Sequence, residues 1–473
     1  MDVSYLKPGR ALREPVYLQL YRRYREAIAT GRLQAGERVP SIRSLASELD
    51  LSRGTVELAY QMLVSEGYFL AQGPAGTMVS PHLTGLRRAG DAGHGAGQQT
   101  PPDASPSAPT VPSLQLGLPA LDAFPRKTWV RLAGQAMRGL DAAAMAYPDP
   151  VGHVRLREAI AAYLGISRGI PCRADQVFVT VGYWGTLALI CRTLLPRGSL
   201  GWYEEPGYRF ARDYLQQAGM RLVPASVDAQ GLAVGQAIAD HPEARFAVVT
   251  PTHQSPLGVT LSLARRFELL NWAHDRQAWI IEDDYDSEFR YRGRPLPALK
   301  SLDDTARVLY TGTFSKVLFP GLRLAYLVVP ADRVAAFRTA AQHLPGPGAV
   351  TNQLTVAHFM AQGHFARHLR AMRSLYAVRR DYLLDALAQT FAATLPVRSQ
   401  AGGLQLLAEV GAGRDDRRLA AAARRRGLAI EALNDWRFAP LAAGGLLMGF
   451  ANLQSPEQAR AAVRRLHAAL REA

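Results

Sequence analysis

A lysine with unusual neighbours is the residue of this sequence best placed to do chemistry. Only four of the 55 lysine and arginine residues are lysine, so this chain nearly always uses arginine where it needs a cation. Lys316 ends the segment 311–316, Thr-Gly-Thr-Phe-Ser-Lys, directly after a short apolar run. A buried ammonium group can lose its proton and become a nucleophile, whereas a guanidinium group cannot. Taken alone, Lys316 could equally be a solvated side chain at a strand end, so its neighbours must distinguish the two interpretations.

Complementary polar groups follow the same apolar runs, which are typical of buried strands. They are Asp283 and Tyr285 after the run 279–281, Thr313 and Ser315 after the run 308–310, and Arg323 before a third run that ends at residue 330. Together with Lys316 they supply an amine for an aldehyde, an acid for a pyridinium nitrogen, a phenol for a ring hydroxyl, and hydroxyls with an arginine for a phosphate. This set matches the needs of pyridoxal 5'-phosphate (PLP).

These motifs also resemble a known family. Asp-x-Tyr at 283–285, Thr-Phe-Ser-Lys at 313–316 and Gly-Leu-Arg at 321–323 look like a fold-type I aminotransferase. The longer run at 282–291, Glu-Asp-Asp-Tyr-Asp-Ser-Glu-Phe-Arg-Tyr, is similar to the MocR (GabR-like) transcription factors, in which a GntR-type winged helix precedes an aminotransferase-like domain. The resemblance covers nearly the whole chain outside residues 81–113. It implies that Lys316 forms a Schiff base with PLP.

The resemblance implies further contacts to the cofactor. Gly182, Tyr183 and Trp184 open a helix after the strand 177–180, where backbone amides can hold a phosphate. Trp184 stands where the family usually has a glutamine. A tyrosine at the position of Tyr147 is implied to reach the phosphate in a neighbouring subunit, which predicts a homodimer. Tyr208 either stacks on the pyridine ring or is an ordinary core residue.

An effector pocket is predicted beside the cofactor, with the candidate residues Tyr208, Arg209, His253 and Gln254. A structural role is the alternative for His253, because a lone histidine is more often structural than functional. Ser255 is a further cofactor candidate, because it occupies the slot of an asparagine that bonds the ring hydroxyl in aminotransferases. Leu447 aligns with the arginine that grips the substrate carboxylate in many of those enzymes, and Arg437 or Arg209 could replace that arginine.

The first 80 residues predict a DNA-binding winged helix-turn-helix. Apolar spacing predicts helices at 16–30, at 42–49 and from 53 to about 67, followed by a two-stranded wing at 68–79. A recognition helix presents its N-terminal residues to base edges, and helix N-termini contact phosphates. The candidate DNA contacts are Ser41, Arg43, Ser52, Arg53 and Thr55. A three-helix module used for protein contacts is the alternative.

The remaining chain predicts a linker and one large α/β domain. Residues 81–113 are rich in glycine and proline without apolar periodicity, as expected of a flexible linker. From residue 114 to 473, strands alternate with helices, which predicts a mostly parallel sheet. A C-terminal subdomain is expected at about 332–473. The predicted fold class is therefore a winged helix followed by a fold-type I aminotransferase-like α/β domain.

Composition narrows the possibilities less than the motifs do. The net charge is +15 and the pI about 10.0, which favours polyanionic partners. Residues 1–80, however, carry ten basic and eight acidic side chains, so charge supports DNA binding only weakly. The two cysteines have no metal-binding spacing, and no apolar run approaches membrane-spanning length. We expect a cytoplasmic protein without a metal site.

The leading hypothesis is a PLP-dependent regulator that binds operator DNA as a dimer and senses an amine or amino acid. A PLP sensor, in which the cofactor itself is the effector, uses the same residues. A working aminotransferase with an accessory winged helix is the alternative from another class. The leading hypothesis still allows slow transaminase half-reactions.

Overall fold

The computed structural model of the chain describes residues 4–9, 14–83, 111–142, 144–291, 296–398, 400–411 and 413–472. The chain divides into two compact units, residues 1–107 and residues 108–473. Most of the predicted linker, residues 84–110, lies outside the described residues, so its flexibility remains a prediction.

The first unit contains three helices and a small sheet. Its elements are α1 (Val16–Ala29), β1 (Arg38–Val39), α2 (Ile42–Leu49), α3 (Arg53–Ser65), β2 (Phe69–Ala71) and β3 (Thr77–Val79). The sheet is antiparallel with the order β1-β3-β2. The sequence predicted only two of these strands, because β1 has two residues and shows no alternation of apolar and polar side chains. Helices α2 and α3 begin at the predicted residues 42 and 53. The Ser41 and Ser52 hydroxyls cap them, because they accept hydrogen bonds from the backbone N–H groups of Ser44 (3.1 Å) and Thr55 (3.2 Å).

Three aromatic rings form a cluster in the core of this unit. Tyr24 on α1, Tyr60 on α3 and Phe69 on β2 meet edge to face, with ring centroids 5.1 to 5.7 Å apart. The Tyr60 hydroxyl donates a 2.8 Å hydrogen bond to the Pro40 carbonyl, just before α2. The cluster therefore joins both helices of the helix-turn-helix to the wing.

The second unit is built from eleven helices and eleven strands among the described residues. They are α4 (Arg126–Arg138), α5 (Val154–Ser167), β4 (Val177–Thr180), α6 (Gly182–Leu194), β5 (Leu200–Glu205), α7 (Arg209–Gln217), β6 (Arg221–Asp228), β7 (Gly231–Leu232), α8 (Val234–Asp240), β8 (Phe246–Val249), α9 (Leu263–Asp275), β9 (Trp279–Asp284), β10 (Val308–Thr313), β11 (Ala325–Val328), α10 (Val334–Ala341), α11 (Val350–Ala361), α12 (His364–Phe391), β12 (Gln405–Val410), α13 (Asp416–Arg425), β13 (Glu431–Ala432), β14 (Gly444–Gly449) and α14 (Pro456–Glu472).

Eight of these strands form the central sheet, in the order β4-β11-β10-β9-β8-β5-β6-β7. Neighbours from β10 to β6 run parallel, whereas β11 and β7 run antiparallel to their neighbours. Helices cover both faces: Ile280 and Ile281, adjacent on β9, belong to separate buried apolar clusters. The predicted mostly parallel sheet is confirmed. Asp283 on β9 pairs with Thr311 on β10, so the two chemical segments meet at one edge of the sheet.

A second, antiparallel sheet forms the C-terminal subdomain, with the order β12-β14-β13. Strand β12 begins at Gln405. Gly403 has a positive φ of 87°, which turns the chain before the strand starts. Glu431 on β13 lies opposite Leu447 on β14.

Candidate functional site

A cavity of about 400 Å³ opens where the carboxyl edge of the central sheet meets the C-terminal subdomain. Ten residues predicted from the sequence line it: Tyr183, Trp184, Tyr208, Ser255, Asp283, Tyr285, Thr313, Ser315, Lys316 and Arg323. They come from five separate stretches of the chain, at 183–184, 208, 255, 283–285 and 313–323. The fold therefore brings most of the predicted cofactor set together in one place.

Lys316 projects into this cavity from the loop after β10. Its Nζ donates a 2.9 Å hydrogen bond to the carbonyl of Gly117. A Cβ atom at Gly117 would lie 2.3 Å from that nitrogen, so glycine leaves the room that the amine needs. Burial lowers the pKa of Lys316, and the carboxylates of Asp286, Asp283 and Glu431 partly oppose the change. A lowered pKa favours the neutral amine, which is the nucleophilic form.

Asp283 faces the cavity at the end of β9. Burial raises its pKa to about 7, and the nearby carboxyl groups of Asp284, Glu204 and Asp286 add to this effect. Among the described residues, no ion pair joins Asp283 to a lysine or arginine. A buried carboxyl group in this position fits a ligand that brings its own cation, such as a pyridinium nitrogen.

The Tyr285 hydroxyl contacts a buried histidine, which also contacts an aspartate. His253 Nδ1 lies 3.0 Å from the Tyr285 hydroxyl and 3.1 Å from Asp286 Oδ1. Burial raises the pKa of Tyr285 well above its ordinary value, so its hydroxyl keeps its proton. His253 does not line the cavity. It contacts Tyr285 instead, and its part in an effector pocket remains a prediction.

A group of residues suited to an anion surrounds Arg323. Gly182, with φ +69°, begins α6, and a Cβ atom there would lie 3.2 Å from the Arg323 guanidinium group. Arg323 itself has a φ of 51°, a left-handed conformation that is uncommon outside glycine and often accompanies function. Thr313 and Ser315 add hydroxyl groups, and the N–H of Ser315 donates to Thr313 Oγ1 over 3.1 Å. This combination fits a phosphate.

Two residues assigned to the cofactor have partly different surroundings. Trp184 lines the cavity, yet it is 49% exposed and stacks on Tyr214, with ring centroids 6.3 Å apart. Tyr147 is fully exposed and lies outside the cavity lining of this chain. Its predicted contact involves a second subunit and remains a prediction.

Two further residues predicted for the effector pocket, Gln254 and Arg209, lie outside the cavity lining. Gln254 is buried, and its amide donates to the Pro206 carbonyl (2.8 Å) and to Glu204 (3.1 Å). Because these partners occupy its amide group, Gln254 stabilises the loop and does not line the cavity. Arg209 also lies outside the lining: its guanidinium group covers the Phe210 ring at 4.4 Å, and its Nε lies 3.7 Å from Glu431. Of the four predicted residues, only Tyr208 lines the cavity.

The C-terminal subdomain supplies wall residues that the sequence did not reveal, namely Gln405, Glu431 and Trp436. Glu431 belongs to a two-residue strand, and no motif marks it. Leu447, opposite Glu431, is buried in an apolar cluster with Leu407, Leu433 and Trp436. Arg437 lies 3.7 Å from Glu205 and outside the cavity lining. It therefore does not replace the carboxylate-binding arginine that many aminotransferases have at the position of Leu447.

The predicted DNA contacts gather at the N-termini of α2 and α3. Ser41 and Ser52 cap these helices, and Arg43 and Arg53 follow with exposed side chains. Thr55 is half-buried, and its hydroxyl lies 2.7 Å from that of Ser52. Within the described residues, no helix is long and apolar enough to cross a membrane, and no cluster of side chains could hold a metal ion.

Comparison with known families assigns both units. The model for class I and II aminotransferases matches residues 120–438, and that for the gntR family of bacterial regulatory proteins matches residues 16–79. A Rhizobium meliloti protein named "Probable rhizopine catabolism regulatory protein MocR" is 35% identical over 466 residues, covering 96% of this chain and 94% of the relative. The pyridoxine biosynthesis transcriptional regulator PdxR of Corynebacterium glutamicum is 33% identical over 78% of each chain.

Solved structures similar to the second unit are aminotransferases. A Pyrococcus horikoshii kynurenine aminotransferase has a TM-score of 0.69 and 25% identity, covering 76% of this chain and 90% of its own. The Thermus thermophilus alpha-aminoadipate aminotransferase, solved with a phosphopyridoxyl-leucine ligand, has a TM-score of 0.69 and 26% identity, covering 76% and 92%.

Proposed function

Because this chain belongs to the MocR-type regulators, which join a GntR-family helix-turn-helix to a class I and II aminotransferase domain, we propose that it is a transcriptional regulator that senses a small amine through PLP. One observation carries this proposal. Lys316, Asp283 and Arg323 line a single cavity in a chain that also carries a winged helix.

Each group of cavity residues would bind a different part of the cofactor. Lys316 would bind the aldehyde carbon, Asp283 the ring nitrogen, and Tyr285 with Ser255 the ring oxygen. Arg323, Ser315, Thr313 and the start of α6 would hold the phosphate. When bound, PLP supplies an electrophilic aldehyde that exchanges between amines and withdraws electrons from them. The protein's own residues would hold the ring, and the lowered pKa of Lys316 would favour its neutral amine.

The winged helix would bind operator DNA through the N-termini of α2 and α3. Ser41, Ser52 and Thr55 lie where helix N-termini approach phosphates, while Arg43 and Arg53 project beyond the caps. We propose a homodimer, in which Tyr147 of each chain completes the phosphate site of its partner. Two-fold symmetry in the protein then requires an operator with two half-sites.

Sensing requires that the effector bind two states of the protein with different affinity. Exchange at Lys316 would alter the cavity wall that the C-terminal subdomain provides, and so shift the equilibrium between a DNA-binding and a weakly binding state. The test is operator affinity measured by fluorescence anisotropy for three samples: the protein without PLP, with PLP, and with PLP plus a panel of amines. Operator affinity that is the same in all three would falsify the proposal.

PLP itself is a second candidate effector. The relative from Corynebacterium glutamicum is named a regulator of pyridoxine biosynthesis, and Lys316 with Arg323 would serve equally in a cofactor sensor. In that case PLP alone changes operator affinity, and amines add nothing. The same anisotropy series separates the two functions.

A further inference from the structure

Charged side chains on the cavity wall restrict what the effector can be, if the proposed PLP-dependent sensing holds. Among the residues that the structure describes, four charged ones line the cavity: Lys316, Arg323, Asp283 and Glu431. PLP offers a complementary group to the first three, namely an aldehyde, a phosphate and a ring nitrogen. Glu431 alone has no counterpart in the cofactor, so it is left to face whatever else enters.

Glu431 is held in place and keeps a free side. The Trp436 indole donates a 3.0 Å hydrogen bond to Glu431 Oε2. Arg209 Nε forms a long ion pair of 3.7 Å with the same oxygen, beyond hydrogen-bond distance. The side chain remains 24% exposed. Trp436 and Arg209 both approach Oε2, so the carboxylate is oriented while its other oxygen, Oε1, accepts no hydrogen bond from the described residues.

Around Glu431, the cavity wall suits a cation better than an anion. Tyr208 and Trp436, with ring centroids 5.6 Å apart, present aromatic groups beside Glu431. A carboxylate and aromatic faces together are the usual surroundings of a bound ammonium group. Across the strand pair, Leu447 is buried and aliphatic, so it contributes no positive charge.

Arg209 is the one nearby cation that could instead receive a carboxylate. It lies outside the lining, and its guanidinium group covers the Phe210 ring. A ligand carboxylate that reached Arg209 would come close to the Glu431 carboxylate, and like charges at such a distance repel. The wall therefore disfavours effectors that carry a carboxylate at this end.

We propose that the effector is an amine with a second positive charge, such as an α,ω-diamine, and that Glu431 binds that second charge. One amine of the ligand then lies at the Lys316 end of the cavity and the other at Glu431. Glu431 would then determine the specificity for diamines over amino acids. It extends the proposed function and depends on it.

Three matched probes test the proposal on the full-length, PLP-loaded protein: 1,4-diaminobutane, 4-aminobutanoate and butylamine. They share a four-carbon chain and differ in the charge at one end. Binding is followed by visible absorption and, independently, by calorimetry. We expect 1,4-diaminobutane to bind more tightly than butylamine by about tenfold or more, the size of one hydrogen bond to a charged group, and 4-aminobutanoate to bind most weakly.

Variants of Glu431 separate the charge from the fold. Glu431→Gln retains an oxygen that can accept from Trp436, and it should reduce 1,4-diaminobutane affinity by about tenfold while leaving butylamine unchanged. Glu431→Arg should reverse the preference towards 4-aminobutanoate. Glu409→Gln is the matched control: it makes the same change at an exposed site on β12, outside the cavity, and should alter neither affinity.

The outcomes also distinguish this inference from the function on which it rests. If 4-aminobutanoate binds wild-type protein more tightly than 1,4-diaminobutane, or if Glu431→Gln leaves diamine affinity unchanged, the role of Glu431 is wrong and amine sensing survives. If none of the three probes changes the spectrum, the calorimetric signal or operator affinity, amine sensing fails as well.

Discussion

Burial shifts the ionisation of Lys316 and Asp283 in opposite directions, and both shifts favour the neutral group. The pKa of Lys316 is lowered and that of Asp283 is raised to about 7, in each case chiefly by burial. Glu204, also buried, has its pKa raised to about 7 for the same reason. Removing these charges from water costs free energy in the protein without cofactor. A cofactor that brings an aldehyde and a pyridinium group relieves part of this cost, which makes binding favourable.

Replacement of Lys316 should abolish covalent attachment of PLP. Borohydride reduction of the wild-type protein should label one lysine, and Lys316→Ala should lose that label, because Lys316 is the lysine on the cavity wall. Lys300→Ala is the control, since Lys300 lies outside the cavity lining. Its ammonium group pairs with Asp303, with Nζ 3.0 Å from Oδ2. Mass spectrometry of the reduced peptides identifies the site. Stoichiometric labelling of Lys300 in the Lys316→Ala protein would show that the assignment is wrong.

Asp283→Asn should stabilise the cofactor-free protein at alkaline pH while it weakens PLP binding. The folded pKa of Asp283, about 7, exceeds the ordinary value of 3.8, so its contribution to stability is lost as pH rises from about 4 to about 7. Asparagine resembles the protonated acid and avoids this loss. The unfolding free energy at pH 8 should rise by about 2 kcal/mol or more, with a much smaller gain at pH 4. Denaturant titrations at both values measure it. An equal effect at both would mean that Asp283 ionises freely.

At the scale of elements, helix N-termini provide most of the proposed contacts to phosphate and to operator DNA. The start of α6 should hold the phosphate, and Gly182→Ala should weaken PLP binding by about tenfold or more, because the new Cβ atom would crowd the Arg323 guanidinium group at 3.2 Å. Its positive φ adds backbone strain. Gly198→Ala controls for strain, since Gly198 has a φ of +84° and no atoms within 4 Å of a Cβ. Both variants should lose folding stability. Equal PLP affinity in the two would indicate that α6 does not contact the phosphate.

Helix α3 should read the operator. Arg53 is its first residue and is exposed, so Arg53→Ala should cost about 1–3 kcal/mol of operator affinity if its side chain makes a bidentate base contact. Arg22→Ala, on the outer face of α1 where Arg22 pairs with Glu14 at 2.8 Å, is the control. Anisotropy with single-base operator mutants measures both. A loss that is uniform across operator mutants would make Arg53 a phosphate contact.

The sequence predicts elements well where local chemistry determines them. Apolar spacing predicted the starts of α2 and α3, and apolar runs predicted β9 and β10, because both signals act within a few residues. Glu431 was not predicted, since a two-residue strand has no periodicity and its place on the cavity wall depends on pairing with β14. Gln254 was predicted for the effector pocket, yet its amide bonds to Pro206 and Glu204. A polar side chain in a loop near the site can bond inward or outward, and only the fold decides which.

At the scale of the whole molecule, the two units allow regulation by an effector that stays bound. The aminotransferase-like unit carries the residues proposed to bind PLP, while the winged helix would offer a second binding surface. Retention of the effector would prolong the signal, whereas turnover would end it. The cavity wall is consistent with retention, because its described residues include no cation other than Lys316 and Arg323, both of which are assigned to PLP.

We therefore expect poor turnover as a transaminase. Efficient transfer requires the donor's Cα–H bond to be held across the ring plane, and a bidentate arginine on the carboxylate achieves this in many related enzymes. Leu447 is aliphatic, Arg437 faces Glu205, and Glu431 repels a carboxylate, so an amino-acid donor lacks its anchor. Lys316 can still accept a proton, which allows single slow half-reactions. Amines should change the visible spectrum with little carbonyl product over many turnovers. Sustained turnover with a common amino donor at about 1 s⁻¹ or more would instead place the protein among working enzymes and make the winged helix the accessory part.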